Sequence, residues 1–387
     1  MKTHNKVGTL VFGSYINTYC VIRELYSKGV RNIIVFDFQK RCAAFSNMKL
    51  KFRKIERLNS EDLLEKINDL HKEYDYIVIF PTDELHILML LNIYDKIEKF
   101  CFLPFNKNFE DLSSKYSQYI WCKKLDIPCP KTILLRNTSD YNLLKDMIPA
   151  VIKPNSRYKK DLSLIKLFSK EDFYFYKNLI KNQIENGYEF IASEIIPGRD
   201  DNVCAYICYR SKEGKILNDW VGRKLSQHPD SFGTFASAES YSIDKVKELG
   251  KKLVNGMNLY GIVEPEFKFD FRDKKFKLTE INFRIMMWHR VGYLSGVYIL
   301  YSQYLDSLGE HVKKFEQKNN ERLCYLKYEI MNLLNRPKYL KTFLKVLSKK
   351  FHVCVFNFKD LKPFLVDCLD LVKRVKEWVE RKKQKNT

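Results

Sequence analysis

The sequence lacks the features that mark several large classes of protein. Its 387 residues include 14 glycines and 11 prolines, too few for a low-complexity or collagen-like polymer. No apolar run reaches about 18 residues and no export signal follows the N-terminus, so we expect neither a membrane-spanning helix nor secretion. The ten cysteines are scattered and form no CxxC pair, which favours reduced thiols in a cytoplasmic protein over the disulfides of a short secreted chain.

The residues that are present predict a globular protein with a strong positive charge. A hydrophobic fraction of 45% over this length is enough for about two to three domains. Lys and Arg exceed Asp and Glu by 21, which favours nucleotides, acidic metabolites, nucleic acid or an anionic membrane as partners without choosing among them. We expect no nucleic-acid partner, because no RNA- or DNA-binding module is recognisable.

The first hundred residues alternate short apolar runs with helical patterns, which predicts a parallel, doubly wound sheet. Ligands of such sheets bind at the carboxyl ends of the strands. Gly13 has no companion glycines to complete a GxGxxG fingerprint, so a Rossmann-like domain without a dinucleotide is favoured over a dinucleotide site. The predicted strands are Val7 to Phe12, Asn32 to Phe38, Asp75 to Phe80 and Cys101 to Phe105, and the polar strand ends are Gly13-Ser14, Asp37 and Pro81-Thr82-Asp83-Glu84.

The remaining chain divides into a mixed α+β region and a basic tail. We predict a Rossmann-like domain over 1–107, a central domain over 108–309 with a subdomain at about 130–196, and a mostly helical extension over 310–387. The extension holds 20 Lys and Arg against 9 Asp and Glu. The central domain is predicted to begin with a helix over 108–125, followed by strands at 132–135, 150–153, 163–168 and 189–196, helices at 140–147, 171–186 and 243–256, and hairpins turning at 213–214 and spanning 261–284.

The second hairpin carries the clearest chemical signal. Apolar and polar residues alternate on both limbs, and a register symmetric about Asp273 places Glu266 opposite Glu280, on the face that also carries Asn282 and Arg284. Two carboxylates facing each other are destabilising unless one of them is protonated or a cation lies between them. Oxygen ligands of this kind suit Mg²⁺; the alternative is a solvated face whose acids are neutralised by Lys268.

Two further segments each have a functional and a plain interpretation. Lys153 stands at the end of the apolar strand Ala150-Val-Ile-Lys153-Pro154. It is either a phosphate ligand or a charged residue exposed to solvent at the strand end. The strand Phe190-Ile-Ala-Ser-Glu194-Ile-Ile196 stops at a turn containing Asp200 and Asp201. Its edge near Glu194 and Ile196 is suited to a planar base, with an acid beyond the turn holding ribose hydroxyls, or it is an ordinary strand followed by a polar turn.

Taken in order, these elements resemble the ATP-grasp superfamily over about residues 100–310. The resemblance implies a Rossmann-like domain followed by an ATP-grasp domain whose two α+β subdomains clamp ATP. It implies phosphate contacts for Lys115 and Lys153, adenine contacts for Glu194 and Ile196, and a ribose contact for Asp201 or its neighbour Asp200. It further implies magnesium ligation by Glu266, Glu280 and Asn282, a transition-state role for Arg284, and phosphate or acyl-phosphate contacts for Lys268 and Arg223.

The sequence departs from the superfamily pattern at two points. Asn282-Phe283-Arg284 stands where Asn-Pro-Arg is common, and the segment Asn155 to Asp161, expected to cover the phosphates, contains no glycine. Ser156, Lys159 or Lys160 would then replace backbone contacts to phosphate. A degenerate, non-catalytic member of the superfamily is the alternative that this departure leaves open.

The segment after the hairpin resembles the branch that contains D-aspartate ligase and ligases of surface-polysaccharide loci. The resemblance rests on Glu280-Ile-Asn-Phe-Arg-Ile-Met-Met-Trp288-His289-Arg290, with Gly292 and Gly296, and on the tail from Val355 to Leu365. It implies that Trp288, His289 and Arg290 border the acceptor pocket. The alternative is core packing of the tryptophan with a hydrogen-bonded imidazole.

The function implied by the resemblance is an ATP-dependent carboxylate–amine ligase that uses ATP and Mg²⁺, or Mn²⁺ in its place. An acyl phosphate would form and an amine would displace phosphate, on an amino acid or a cell-envelope precursor. The rival from another class is a nucleotide-binding protein without turnover.

The basic tail also allows peripheral contact with an anionic membrane on its inner face. The apolar positions of a helical stripe, flanked by Lys and Arg, would then face the lipid, and docking of the same stripe on the protein core is the alternative. The stripe comprises Phe364, Leu365, Cys368, Leu371, Val372, Val375, Trp378 and Val379.

Overall fold

Three β-sheets organise the part of the chain that the computed structural model describes, which is residues 6–49, 51–57, 59–156, 164–229 and 232–386. The sheets hold five, four and seven strands. None of the described helices is both long enough and apolar enough to cross a bilayer.

The first sheet is parallel throughout, with the order β3-β2-β1-β4-β5. This confirms the predicted doubly wound arrangement, although the short basic strand β3 was not predicted. Helix α2 begins where the Asn59 side chain accepts hydrogen bonds from the amides of Glu61 and Asp62. The elements are β1 (Val7–Phe12), α1 (Ile16–Ser27), β2 (Ile33–Asp37), β3 (Lys51–Lys54), α2 (Ser60–His71), β4 (Tyr76–Phe80), α3 (Glu84–Leu91), α4 (Tyr94–Ile97) and β5 (Cys101–Phe102).

The helix predicted over 108–125 is two helices, α5 (Phe109–Ser113) and α6 (Lys115–Lys124). The Ser114 hydroxyl accepts a hydrogen bond from the Ser117 amide and caps α6. The Lys115 amide donates to the Asn155 carbonyl at 3.1 Å. These contacts hold Lys115, at the first turn of α6, beside the segment that follows Lys153.

The four-stranded sheet has the order β6-β9-β7-β8, and all of its strands lie within residues 130–196. All of its pairings are antiparallel. The helix predicted at 140–147 is a 3₁₀ segment, Thr138–Asp146, and α7 begins with a capping box formed by Ser169 and Asp172. The elements are β6 (Thr132–Leu135), β7 (Ala150–Pro154), β8 (Ile165–Leu167), α7 (Lys170–Glu185) and β9 (Phe190–Glu194).

The seven-stranded sheet has the order β14-β13-β10-β11-β12-β15-β16 and forms the base of the central region. Both predicted hairpins are present, as β10 with β11 and as β13 with β14. The strands are β10 (Val203–Arg210), β11 (Ile216–His228), β12 (Thr234–Ser240), β13 (Gly261–Asp270), β14 (Lys275–Asn282), β15 (Arg322–Cys324) and β16 (Phe351–Val353); the helices are α8 (Asp244–Gly256), α9 (Arg290–Leu294), α10 (Ile299–Ser307), α11 (Leu326–Asn335), α12 (Leu340–Leu347) and α13 (Lys362–Asn386).

The C-terminal segment 310–387 is more than the mostly helical extension that was predicted. Its strand β15 pairs with β12 and β16 pairs with β15, so both belong to the seven-stranded sheet. The segment also contacts the first domain, where the Asp360 carboxylate accepts a hydrogen bond from Ser46 at 2.5 Å. Strands of three residues are too short to give an alternating pattern, which explains why the sequence did not predict them.

Candidate active site

A cleft of about 920 Å³ lies between the four-stranded and seven-stranded sheets, with the first domain at one end. Strands β7 and β9 supply one wall, and β11, β13 and β14 supply the other. The first domain contributes Asp83 and Glu84, at the carboxyl end of β4 and the start of α3. The volume is in the range of small-molecule sites in proteins.

The hairpin of β13 and β14 brings four polar side chains together in two cross-strand pairs. Glu266 is paired with Glu280, as the sequence predicted, and Glu264 is paired with Asn282. The symmetric register is wrong beyond these pairs, because a bulge shifts the pairing so that Lys268 faces Lys277. Glu266 and Glu280 both line the cleft.

A lysine that the sequence did not suggest supplies a cation beside the two carboxylates. Lys224 in β11 lines the cleft, and its Nζ lies 2.6 Å from Glu266 Oε2 and 3.1 Å from Gln227 Oε1. Burial lowers the pKa of Lys224, but the combined attraction and hydrogen bond of Glu266, with the attraction of Glu280 and Glu264, outweigh burial and raise the pKa above its usual value. Burial raises the pKa of Glu266, and Lys224 partly offsets that rise. Lys224 therefore takes the neutralising position that the sequence assigned to Lys268.

The three lysines predicted to bind phosphate all lie along this cleft. They are Lys115, Lys153 and Lys268. Burial lowers the pKa of Lys268, while Asp200, Asp270 and Glu266 oppose that change. These ammonium groups lie on opposite walls, because Lys153 belongs to β7 and Lys268 to β13.

The predicted base-binding edge lies at the end of β9. Glu194 and Ile196 line the cleft together with apolar side chains that include Val151 and Ile191. The Glu194 carboxylate accepts a hydrogen bond from the Lys131 amide at 3.1 Å and lies 3.2 Å from Arg272 Nη2. Because its carboxylate is held in this way, Glu194 would contact a base through its backbone.

Arg284 lies beyond the end of β14 and lines the cleft, as expected for a residue that contacts phosphate. Its Nε lies 2.5 Å from Glu84 Oε2. This ion pair joins the end of the hairpin that carries Glu266 and Glu280 to the first domain.

Arg223 does not line the cleft, so its position gives no support to the catalytic role predicted for it. Its guanidinium lies 2.6 Å from the buried carboxylate of Glu239 and covers the ring of Tyr241. Successive residues of a strand point to opposite faces, so Arg223 is turned away from the cleft that Lys224 enters.

The ribose contact predicted for Asp201 is also not supported by its position. Asp201 pairs with the exposed Arg199 at 2.6 Å and does not line the cleft. Asp200, the neighbour that the sequence left open, accepts hydrogen bonds from the backbone and side chain of Gln227, which does line the cleft. Asp200 is thus the nearer of the two acids.

Trp288, His289 and Arg290 are buried in the core and do not line the cleft, so their positions give no support to the expected contact with the acceptor. Trp288 packs edge to face against Trp220 at 5.4 Å. His289 Nε2 lies 2.6 Å from Glu264 Oε2. Burial lowers the pKa of Arg290 to about 10. All three residues therefore fit the alternative interpretation, which was core packing of the tryptophan with a hydrogen-bonded imidazole.

The segment expected to cover the phosphates lies mostly outside the described residues. Asn155 and Ser156 are described, and Ser156 lines the cleft. The predictions for Lys159 and Lys160 fall on residues that the structure does not describe.

The hairpin residues fit Mg²⁺ better than a metal with a full protein cage. Within the described ranges, no group of three or more His, Cys, Asp or Glu side chains could hold a metal ion. Glu266 and Glu280 line the cleft and offer carboxylate oxygens, whereas Asn282 is fully buried, does not line the cleft and could contribute only its amide oxygen. Mg²⁺ is usually bound by one or two carboxylates together with phosphate oxygens and water, so an incomplete protein ligand set is what it requires.

Comparisons with known proteins agree with this geometry. No family model matches the chain. The chain is 28% identical over 193 residues to a D-aspartate ligase of Enterococcus faecium (strain Aus0004), a match covering 46% of this chain and 45% of that relative, so it spans less than half of the relative's length.

Solved structures resemble the chain over most of its length. The N5-carboxyaminoimidazole synthetase from Staphylococcus aureus gives a TM-score of 0.65 at 14% identity, covering 86% of this chain and 85% of that one. The biotin carboxylase domain of Hydrogenobacter thermophilus 2-oxoglutarate carboxylase, solved with MgADP and bicarbonate, gives a TM-score of 0.63 at 14% identity and covers 82% and 74%. The sheet order and this likeness show that the chain has the ATP-grasp fold that was predicted.

Proposed function

We propose that the protein is an ATP-dependent carboxylate–amine ligase. The observation that carries the proposal is the cleft itself, in which the Glu266 and Glu280 pair lies together with Lys115, Lys153 and Arg284. Two carboxylates able to hold a divalent cation, beside several ammonium and guanidinium groups, suit a triphosphate and its transferable phosphoryl group.

Different residues along the cleft would bind different parts of ATP. Lys115 and Lys153 would hold the phosphates, the end of β9 would bind the base, and Asp200 is the nearer acid for the ribose. Mg²⁺, or Mn²⁺ in its place, bound by Glu266, Glu280 and Asn282 would supply positive charge to the phosphate oxygens. Catalysis would rest on positioning and charge neutralisation, and no covalent protein nucleophile is required.

The proposed reaction has two steps. A substrate carboxylate oxygen attacks the γ-phosphorus, the bond to the ADP oxygen breaks, and an acyl phosphate and ADP result. An amine then attacks the acyl carbon, phosphate leaves with the former carboxylate oxygen, and the nitrogen loses a proton. Arg284, Lys268 and Lys224 would offset the negative charge on the transferring phosphoryl group.

The substrates would bind at the end of the cleft formed by the first domain. Arg57 and Arg284 are cationic there, and Asp83 and Glu84 are anionic. Groups of both signs suit an amino acid or another small molecule carrying a carboxylate and an amine, including a cell-envelope precursor. A screen of Mg²⁺ATP with such acids and amines, measuring ADP and phosphate, tests the proposal.

Binding without turnover is the competing function. It predicts that ATP binds in the cleft and that no acid and amine pair releases ADP. The absence of ADP release across the screen, with ATP binding intact, would favour it over the ligase.

We expect Lys153→Met to weaken ATP binding by about 10- to 100-fold, the range for loss of a charge-assisted hydrogen bond. The folded state should be little affected, because Lys153 lies near the end of β7 and is half-buried. Calorimetric titration with ATP and a melting curve check this, with the exposed Lys170→Met as control. A large fall in melting temperature with unchanged ATP affinity would instead identify Lys153 as a structural residue.

We also propose that α13 brings the protein to an anionic membrane. The helix docks through one side, where Asp367 lies 2.6 Å from Lys327 and Trp378 donates to Asn335 at 2.9 Å. Its other side exposes Leu365, Leu369 and Val372 by 58%, 69% and 52%. The predicted stripe is therefore divided between the core and the surface, and the exposed half is flanked by lysines such as Lys362 and Lys373.

We expect the intact protein to float with vesicles containing anionic lipid and to be released by salt, because both apolar burial and screened charge contribute. Replacing Leu365, Leu369 and Val372 by Gln should abolish flotation, whereas Leu340→Gln with Leu344→Gln on α12 serves as an exposed control. Lack of flotation by the unmodified protein would refute the membrane contact and leave the ligase proposal unaffected.

A further inference from the structure

A fully buried hydrogen-bonded chain lies next to the candidate metal ligands. Glu264, Asn282 and His289 are 0%, 0% and 1% exposed. Asn282 Nδ2 donates to Glu264 Oε1 at 3.1 Å, and His289 Nε2 lies 2.6 Å from Glu264 Oε2. Burying polar groups of this kind costs free energy unless they are hydrogen-bonded. The hydrogen bonds therefore fix how these three side chains are arranged.

The direction of every bond in this chain follows from the chemistry of its members. The Met286 amide donates to His289 Nδ1 at 3.3 Å, so Nδ1 accepts and the ring proton lies on Nε2. Nε2 therefore donates to Glu264. The Glu264 oxygens accept both bonds, so the atom that Asn282 presents to Glu264 is its amide nitrogen.

The consequence concerns the amide oxygen of Asn282. With Nδ2 directed at Glu264, Oδ1 is turned away from that carboxylate. Glu264 and Asn282 form the next cross-strand pair on the face that carries Glu266 and Glu280, so the orientation of this one amide decides whether its oxygen or its NH₂ group is directed away from Glu264.

We infer that Glu264 and His289 are positioning residues that fix the Asn282 amide in the orientation whose oxygen can bind a divalent cation. The inference rests on the proposed function, because it requires the metal to bind at Glu266 and Glu280. His289 thus acts on the site through Glu264 and Asn282 rather than by contact with a substrate. Hydrogen bonds behind metal ligands commonly change metal affinity by about 10- to 100-fold.

An exchange of charge between positions 264 and 282 tests the inference. In Glu264→Gln, the glutamine oxygen can still accept from His289, but its NH₂ group then faces Asn282. Asn282 must rotate to accept that bond, and its own NH₂ group replaces the oxygen. We expect the affinity for Mn²⁺ in the presence of ADP, followed by the electron paramagnetic resonance signal of free Mn²⁺, to fall about 10- to 100-fold.

The double variant is the diagnostic one. Asn282→Asp alone places two carboxylates against each other, and we expect Mn²⁺ affinity to fall. In Glu264→Gln with Asn282→Asp, one oxygen of the carboxylate introduced at position 282 accepts from the amide introduced at position 264, and the other oxygen can bind the metal. We expect the Mn²⁺ affinity of the double variant to return to within a few-fold of the wild-type value. If the losses of affinity in the two single variants simply add in the double variant, the inference is overturned.

A second pair of variants covers the case in which Glu264→Gln does not fold. His289→Gln retains a donor to Glu264 and should keep near wild-type Mn²⁺ affinity, whereas His289→Leu should lose about 10-fold or more. Equal affinities in these two variants would also overturn the inference. If wild type with ADP binds no Mn²⁺, both the inference and the metal site of the proposed function fail; if wild type binds and the variants match it, only the inference fails.

Discussion

Glu280→Gln is expected to lower turnover by about 10³-fold or more, because it would remove one anionic ligand of the cation proposed to neutralise the transferring phosphoryl group. Without nucleotide, the melting temperature should change little. The variant loses the repulsion between Glu280 and Glu266 as well as the attraction of Glu280 to Lys224, and a cross-strand pair contributes about 1 kcal/mol or less. With Mg²⁺ATP, the rise in melting temperature seen for wild type should be much smaller.

The measurement is a pair of melting curves for each protein, with and without Mg²⁺ATP, beside a phosphate-release assay. Glu213→Gln, in the exposed turn between β10 and β11, is the matched control and should behave as wild type. Equal Mg²⁺ATP-dependent shifts in wild type and Glu280→Gln, with unchanged turnover, would contradict the metal assignment.

Lys224→Met is expected to destabilise the folded state by about 3 kcal/mol, because it leaves the buried Glu266 carboxylate without its partner. For a chain of 387 residues that corresponds to a fall in melting temperature of about 4 °C. Mg²⁺ alone should stabilise the variant more than wild type, since the cation no longer competes with the Lys224 ammonium for Glu266.

Melting curves over a series of Mg²⁺ concentrations check this prediction, with a matched amount of NaCl to control for ionic strength. Lys245→Met removes an exposed lysine paired with Glu248 and should change the melting temperature little, as surface ion pairs contribute about 0–1 kcal/mol. A melting temperature for Lys224→Met that equals the control, with no added response to Mg²⁺, would show that Lys224 and Glu266 are not coupled.

The sequence predicted the parts of the fold that have a strong local pattern. Buried parallel strands such as Val7–Phe12 are continuous apolar runs, and the alternation on β13 and β14 was sufficient to place Glu266 opposite Glu280. The bulge after this pair and the three-residue strands β15 and β16 have no such pattern, because long-range pairing creates them.

The site was predicted less completely, for a reason seen at Arg223 and Lys224. Both are basic residues of one strand, and a displacement of one residue moves a side chain to the opposite face of the sheet. The sequence suggested Arg223 as the phosphate contact on this strand. The alternation that places Trp220, Gly222 and Lys224 on one face of β11 was the pattern from which Lys224 could have been predicted instead. Glu84 and its contact with Arg284 join elements 200 residues apart, which local patterns cannot predict.

Transfer of oxygen from the substrate carboxylate tests the central claim most directly. An acid and amine pair that supports ADP release would be used with the carboxylate labelled with ¹⁸O, and the released phosphate analysed by mass spectrometry. An acyl phosphate predicts that one carboxylate oxygen appears in phosphate for each amide bond formed. Phosphate that carries oxygen from water and none from the carboxylate, at the same rate of ADP release, would contradict the proposed ligase mechanism.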